Sequence, residues 1–332
     1  MFIIQRYRNH SNSTINMEDV TKIREIVEEL EKKIYSSESI FNNDQWEIYK
    51  ISDKNSHIIF TFQKEMREKS SMEGDFFFYF PKDKIIKNLI EKGIEGDKIK
   101  REIEKLEVIR IKVYTPDPTK NLNILLRKDN LLLLIYYMVS SHEAAHLLLV
   151  RYLDEESRQR FRERLKEVLE YAEKISVDNS LTQQEKLLKF AKFYIEKLYV
   201  HFAFSEVYAH SISILVLIEM LKKGKASVDD TKRIFENLLF SFFKYGSNYL
   251  EFVRSGNLEI RDFSDLKTLD HSLASYIISS FLLKKLNIDQ LVDLYENFER
   301  NIDTIERLFR EIKEYSKERF LEEVRKLLKS LI

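Results

Sequence analysis

Residues 131–150 read LLLLIYYMVSSHEAAHLLLV and contain one formally charged residue, Glu143. The stretch has neither proline nor glycine, and a surface helix of this length would carry charges every three or four residues. It therefore predicts a helix that runs buried through a core. A lone carboxylate in such a helix is costly unless a metal ion, water or hydrogen bonds satisfy it, which indicates a polar site at its centre.

The polar centre is His142-Glu143-Ala144-Ala145-His146, which matches the pattern HExxH. Residues four apart on a helix lie on one face, so both imidazoles can bind a common cation. The glutamate between them can act as a base on water held by that cation. The motif predicts a metal-dependent hydrolase in which His142 and His146 bind Zn²⁺ and Glu143 is the general base.

A catalytic zinc ion usually has three protein ligands, and the chain has no cysteine to supply one. Glu206 is the best candidate, because the stretch 198–218 has no other charged residue apart from His201 and His210. A carboxylate in an apolar helix again needs a partner. One cation shared with the HExxH helix explains both isolated glutamates together, so we expect Glu206 to be the third ligand.

Other histidines leave alternatives open. His210 lies one turn after Glu206 on the same face and is a candidate catalytic residue. It could donate a hydrogen bond to a metal ligand, be the third ligand itself, or stabilise an oxyanion. The alternative is a histidine buried in the core without a functional role. His201 faces elsewhere on an unbroken helix. Asp270-His271 could donate to a tetrahedral intermediate, but a helix cap or a surface role is the simpler prediction for that pair.

The combination resembles the gluzincin class of zinc metallopeptidases, in which HExxH on one helix is completed by a glutamate on a later helix. The stretch 206–210, EVYAH, is similar to the ExxA-plus-acid element of many such families, although His210 stands where the pattern often has Asp. The resemblance covers these two short segments. It implies His142, His146 and Glu206 as ligands, Glu143 as base, and a peptide or protein substrate.

The chain changes character near residue 128, since all three prolines and the runs rich in aromatic and β-branched residues lie before it. Those runs predict strands at Trp46–Ile51, His57–Gln63, Asp75–Phe80 and Glu107–Tyr114, with Leu122–Leu126 as another candidate, and helices near Met17–Tyr35 and Lys82–Leu106. We therefore expect an α+β, zincin-like fold. A small, mainly antiparallel sheet in region 1–127 precedes an α-helical region, 128–332, which carries the metal site; the two could form one continuous domain.

Local signals mark helix ends in the second region. Thr182 to Glu185 predicts a capping box, Lys222-Lys223-Gly224 a helix stop, and Ser227 with Asp230 the next helix start. The stretch 187–221 is long for one helix, and we expect a break near His201–Ser205.

The overall charge gives no support for nucleic-acid binding driven by an excess of positive charge, because 55 basic residues balance 55 acidic ones. The longest apolar runs, 131–141 and 212–218, are shorter than the roughly 20 residues of a membrane helix, so no membrane span is expected. The N-terminus has no secretory signal pattern, which makes a cytoplasmic location the default. Oligomeric state and substrate specificity are not indicated.

Three other functions stay open. The metal could be a structural or sensing centre in a helical regulatory or interaction protein. The ExxH part of the motif could belong to a ferritin-like di-metal site, but that site needs a second ExxH, and Glu206 and His210 are four residues apart. The chain could also be a helical binding module without a metal.

Overall fold

The computed structural model describes residues 14–36, 45–53, 56–64, 73–77, 107–115, 130–151, 155–255 and 263–330. The chain divides into two compact units: one is Thr21–Leu147, and the other joins Met1–Val20 to Leu148–Ile332. Both divisions fall inside helices. The boundary predicted at 127/128 lies outside the described residues, as do the predicted helix 82–106 and strand 122–126.

The unit Thr21–Leu147 holds most of helix α1, four strands and most of helix α2. Their bounds are α1 Met17–Ser36, β1 Gln45–Asp53, β2 Ser56–Lys64, β3 Glu73–Phe77, β4 Glu107–Thr115 and α2 Asn130–Arg151. The strand order is β1-β2-β4-β3. Strands β2 and β4 run parallel, whereas β1–β2 and β3–β4 are antiparallel, so the sheet is mixed.

The predicted fold class, α+β with a zincin-like N-terminal sheet, is wrong: the fold is mainly α. The part of the chain whose side-chain burial is described is 90% helical and contains no strand. Within that part, the buried apolar side chains lie on helices or in the turns beside them. Aromatic and β-branched runs indicate a local preference for extended backbone, but they do not show which elements enclose the core, and here helices do so.

The second unit is a helical assembly. Its elements are α3 Glu155–Ser176, α4 Gln183–Tyr194, a π-helical turn Ile195–Tyr199, α5 Val200–Lys222, α6 Val228–Ser255, α7 Phe263–Lys285, α8 Ile288–Glu296, a 3₁₀ turn Phe298–Asn301 and α9 Ile302–Ser330. Helix α5 is its centre and packs against α7 and α9, while α6 lies along α7. Apolar side chains are buried around the whole of α5, as expected for a helix enclosed by others.

The predicted helix ends in this unit are confirmed. Thr182 and Glu185 form a reciprocal capping box at the start of α4. Helix α5 ends at Lys222, and Gly224 follows with φ +67°, a conformation that glycine adopts without steric penalty. The hydroxyl of Ser227 accepts a hydrogen bond from the Asp230 amide at 3.1 Å, which caps α6.

The break predicted at His201–Ser205 is misplaced, because α5 is regular there and the irregularity is the π turn before it. Such a turn is set by i→i+5 bonding and leaves no periodic apolar signature in the sequence.

Helix α5 also contains the segment Phe202–Lys222, which is long and apolar enough to cross a membrane, the one such helix among the described residues. Its most apolar window has a mean hydropathy of 1.4, and 78% of that window is buried inside the protein. Core helices of soluble proteins pass the same test, so this segment establishes neither a membrane span nor its absence.

Candidate metal centre

The HExxH residues lie on helix α2, as the sequence predicts. The Nε2 atoms of His142 and His146 are 3.2 Å apart, and the two rings meet edge to face. Two nitrogens bound to a tetrahedral zinc ion at 2.0–2.1 Å are separated by about 3.3 Å. The pair therefore has the spacing of two ligands of one ion, and in a metal-free protein the same spacing suits a hydrogen bond between one protonated and one bare nitrogen.

Burial supports a special role for this turn of the helix. Glu143 and His146 are each only 5% exposed, whereas His142 is partly exposed. Ala144 and Ala145 between them are buried and too small to crowd a ligand. The turn thus offers two imidazoles, one of them reachable from solvent, and a carboxylate largely removed from water.

A second polar cluster lies in the helical unit, on α5 and α7. The Oε2 atom of Glu206 is 3.2 Å from Nδ1 of His271 and 4.0 Å from Nε2 of His210. The ring centroids of the two histidines are 6.3 Å apart. All three side chains are partly buried, so a carboxylate flanked by two imidazoles faces a limited amount of solvent. This set of donors suits a borderline-soft cation such as Zn²⁺.

Two tyrosines, the half-buried Tyr194 and the buried Tyr199, fix α7 beside this cluster. The hydroxyl of Tyr194 donates to Oδ2 of Asp270 at 2.6 Å, and the hydroxyl of Tyr199 donates to the carbonyl oxygen of Leu269 at 3.1 Å. Burial, followed by the neighbouring Asp270 charge, raises the pKa of Tyr194 well above its ordinary value, and Glu206 adds to that effect. The phenols therefore stay protonated and act as donors.

The π turn explains how both tyrosines reach the same helix. Five residues of α-helix turn through about 500°, which would leave Tyr194 and Tyr199 about 140° apart. In a π turn the i→i+5 bonding brings residues five apart to the same side. Glu206 follows Tyr199 by seven residues, about two α-helical turns, and so lies on that side as well.

The sequence predicts the members of both clusters except His271. His142 and His146 lie together, and so do Glu206 and His210. For His271 the sequence favours a cap or surface role, but its Nδ1 atom is 3.2 Å from Oε2 of Glu206. Its signal in the sequence is the pair Asp270-His271 within a run of apolar and small residues. The side chain of His201 lies outside the described residues.

Comparison of the chain with protein-family models, with curated proteins and with solved structures returned no match. The resemblance to gluzincins therefore stays a prediction based on the motif.

Proposed function

We propose that the protein is a zinc-dependent metallopeptidase in which His142, His146 and Glu206 bind Zn²⁺ and Glu143 is the general base. The observation that carries the proposal is the 3.2 Å separation of the two Nε2 atoms on α2, with the buried carboxylate in the same helical turn. Glu206 on α5 would supply the third protein ligand that catalytic zinc usually has, with His210 as the alternative.

The donor chemistry fits zinc. Two neutral imidazoles and one carboxylate are a common ligand set for catalytic zinc and leave one position for water or substrate. When bound, a zinc ion would polarise a peptide carbonyl and lower the pKa of a water molecule beside it.

The chain's own residues would then move the proton. The carboxylate of Glu143 would accept a proton from the attacking water and deliver it to the leaving amine, the two transfers expected of a general base beside metal-held water. His210, one turn beyond Glu206, would donate from its ring to the oxyanion unless it binds the metal itself. The balanced net charge of the chain supports a neutral or mixed peptide as substrate over a nucleic acid. A cytoplasmic location belongs to the same proposal.

The test is hydrolysis of a quenched-fluorescent peptide library by the purified full-length protein. We expect cleavage that a chelator abolishes and added Zn²⁺ restores, and that Glu143→Gln reduces by 10²-fold or more, the contribution typical of a general base. Glu170→Gln, an exposed glutamate on α3, is the matched control and should leave the rate unchanged. Cleavage that persists in Glu143→Gln would contradict the mechanism.

A second candidate is a non-catalytic metal centre in a helical regulatory or interaction protein. The mainly α fold favours it, because Glu206, His210 and His271 lie on α5 and α7, which pack against each other within the helical unit. This reading predicts that a chelator lowers the melting temperature, as for a ligand that binds only the folded state, while no peptide is cleaved. Zinc-dependent cleavage lost in Glu143→Gln would exclude it.

A further inference from the structure

We propose that His271 is a positioning residue that holds the carboxylate of Glu206 in the orientation a metal ligand needs. The inference rests on the proposed function for the role of Glu206, and names a residue on a different helix that this function requires. Its basis is the Nδ1–Oε2 distance of 3.2 Å between α7 and α5.

The contact constrains both partners. A histidine that donates from Nδ1 to a carboxylate keeps its proton on that nitrogen, which fixes its tautomer and ring orientation. The carboxylate loses rotational freedom, because His271 and His210 both approach the same oxygen, Oε2. A ligand already fixed in place loses less conformational entropy when the metal binds.

The two residues before His271, Leu269 and Asp270, hold helix α7 in register beside Glu206. Leu269 accepts a hydrogen bond from Tyr199, and Asp270 accepts one from Tyr194. Three consecutive residues of α7 thus contact the continuous segment formed by α4, the π turn and α5. A slip of α7 by one residue would break all three contacts, so the π turn positions His271 indirectly through the tyrosines.

The geometry favours a supporting hydrogen bond over direct ligation by His271. Nδ1 already lies at hydrogen-bond distance from the carboxylate, and the 6.3 Å between the His210 and His271 rings is wider than the roughly 5 Å expected for two imidazoles on one tetrahedral ion. Partners that bond to a metal ligand typically change metal affinity by 10–100-fold when they are removed.

The test compares the zinc dissociation constants of His271→Leu and His271→Asn, measured by competition with a chromophoric chelator. The Asn amide places an N–H near the position of Nδ1, whereas Leu removes the donor. We expect about 10–100-fold weaker binding for Leu and wild-type binding to within a few-fold for Asn. Leu283→Ala, an exposed position on the same helix, should leave affinity unchanged.

The positioning role would be overturned if His271→Leu bound zinc as tightly as the wild type, or if His271→Leu and His271→Asn lost the same amount of zinc affinity. Glu206→Gln in the same series separates this failure from failure of the proposed function. If Glu206→Gln loses zinc and His271→Leu does not, the function stands and the inference is wrong. If the wild-type protein binds no zinc, the proposed function fails. The hydrogen bond between His271 and Glu206 can then still be tested by ¹⁵N spectra of the metal-free protein. An Nδ1–H tautomer of His271 that persists in Glu206→Ala would refute the positioning role.

Discussion

Gly246 is the position where a single methyl group should measure how closely α6 and α7 pack. A Cβ atom added there would lie 2.8 Å from Oγ of Ser279 and 3.0 Å from Cα of Tyr276, both on α7. The serine hydroxyl can rotate away, but the backbone of Tyr276 cannot. Because carbon atoms approach favourably only to about 3.5 Å, the two helices would have to separate by roughly half an ångström.

Two effects oppose each other in Gly246→Ala. Alanine is about 1 kcal/mol better than glycine inside a helix, whereas overpacking a well-packed contact costs about 1–3 kcal/mol. We expect the overpacking to dominate, with a net loss of about 1 kcal/mol. In a unit of this size that loss lowers the melting temperature by about 2–4 °C.

Thermal and urea unfolding followed by circular dichroism measure the change. Gly246→Val should lose more than Gly246→Ala, and the double variant Gly246→Ala/Ser279→Ala should recover only a part, because the contact with the Tyr276 backbone persists. A Gly246→Ala protein as stable as the wild type, or more stable, would show that α6 and α7 separate freely and would refute the reasoning.

Three further predictions concern the helical unit. Burial raises the pKa values of Tyr194, Tyr199 and Tyr249, so unfolding above pH 10 releases up to three protons that the folded state retains. The free energy of unfolding should therefore be constant below pH 10 with respect to these groups and fall by roughly 4 kcal/mol per pH unit above it. A free energy of unfolding that stays flat from pH 10 to 11 in urea titrations would contradict this prediction. Tyr194→Phe removes a hydrogen bond to the buried Asp270 carboxylate and should cost about 2–3 kcal/mol in urea unfolding. A change below about 0.5 kcal/mol would mean that water replaces the phenol at no cost. Asn287→Ala removes the capping box of α8 and should cost about 1 kcal/mol, with Asn287→Asp close to wild type; equal stability of the Ala and Asp variants would show that the cap is not used.

Local chemistry in the sequence predicted local structure well. The capping box at Thr182 and the stop at Gly224 depend on residues within one turn, and both are confirmed. The spacing of His142 and His146 likewise needs only helical geometry to bring their rings together. These features could be predicted because each is determined by a few neighbouring residues.

Features that depend on packing between distant segments were missed. His271 and Glu206 are 65 residues apart, and their contact follows from the register of α7, which the hydrogen bonds of Tyr194 and Tyr199 fix. The π turn that brings those tyrosines to one side has no periodic signature. The fold class failed for a related reason, since strand preference in the first region does not show that helices enclose the core.

We propose that one zinc ion is bound by His142 and His146 of the HExxH helix and by Glu206. Elemental analysis of the full-length protein, purified without chelator, tests it most directly when His142→Ala, Glu206→Ala and Glu143→Gln are compared with the wild type. The account predicts one zinc per wild-type chain, its loss in the first two variants, and its retention in Glu143→Gln. A wild-type protein without zinc, or a Glu206→Ala protein that keeps it with unchanged affinity, would contradict the account.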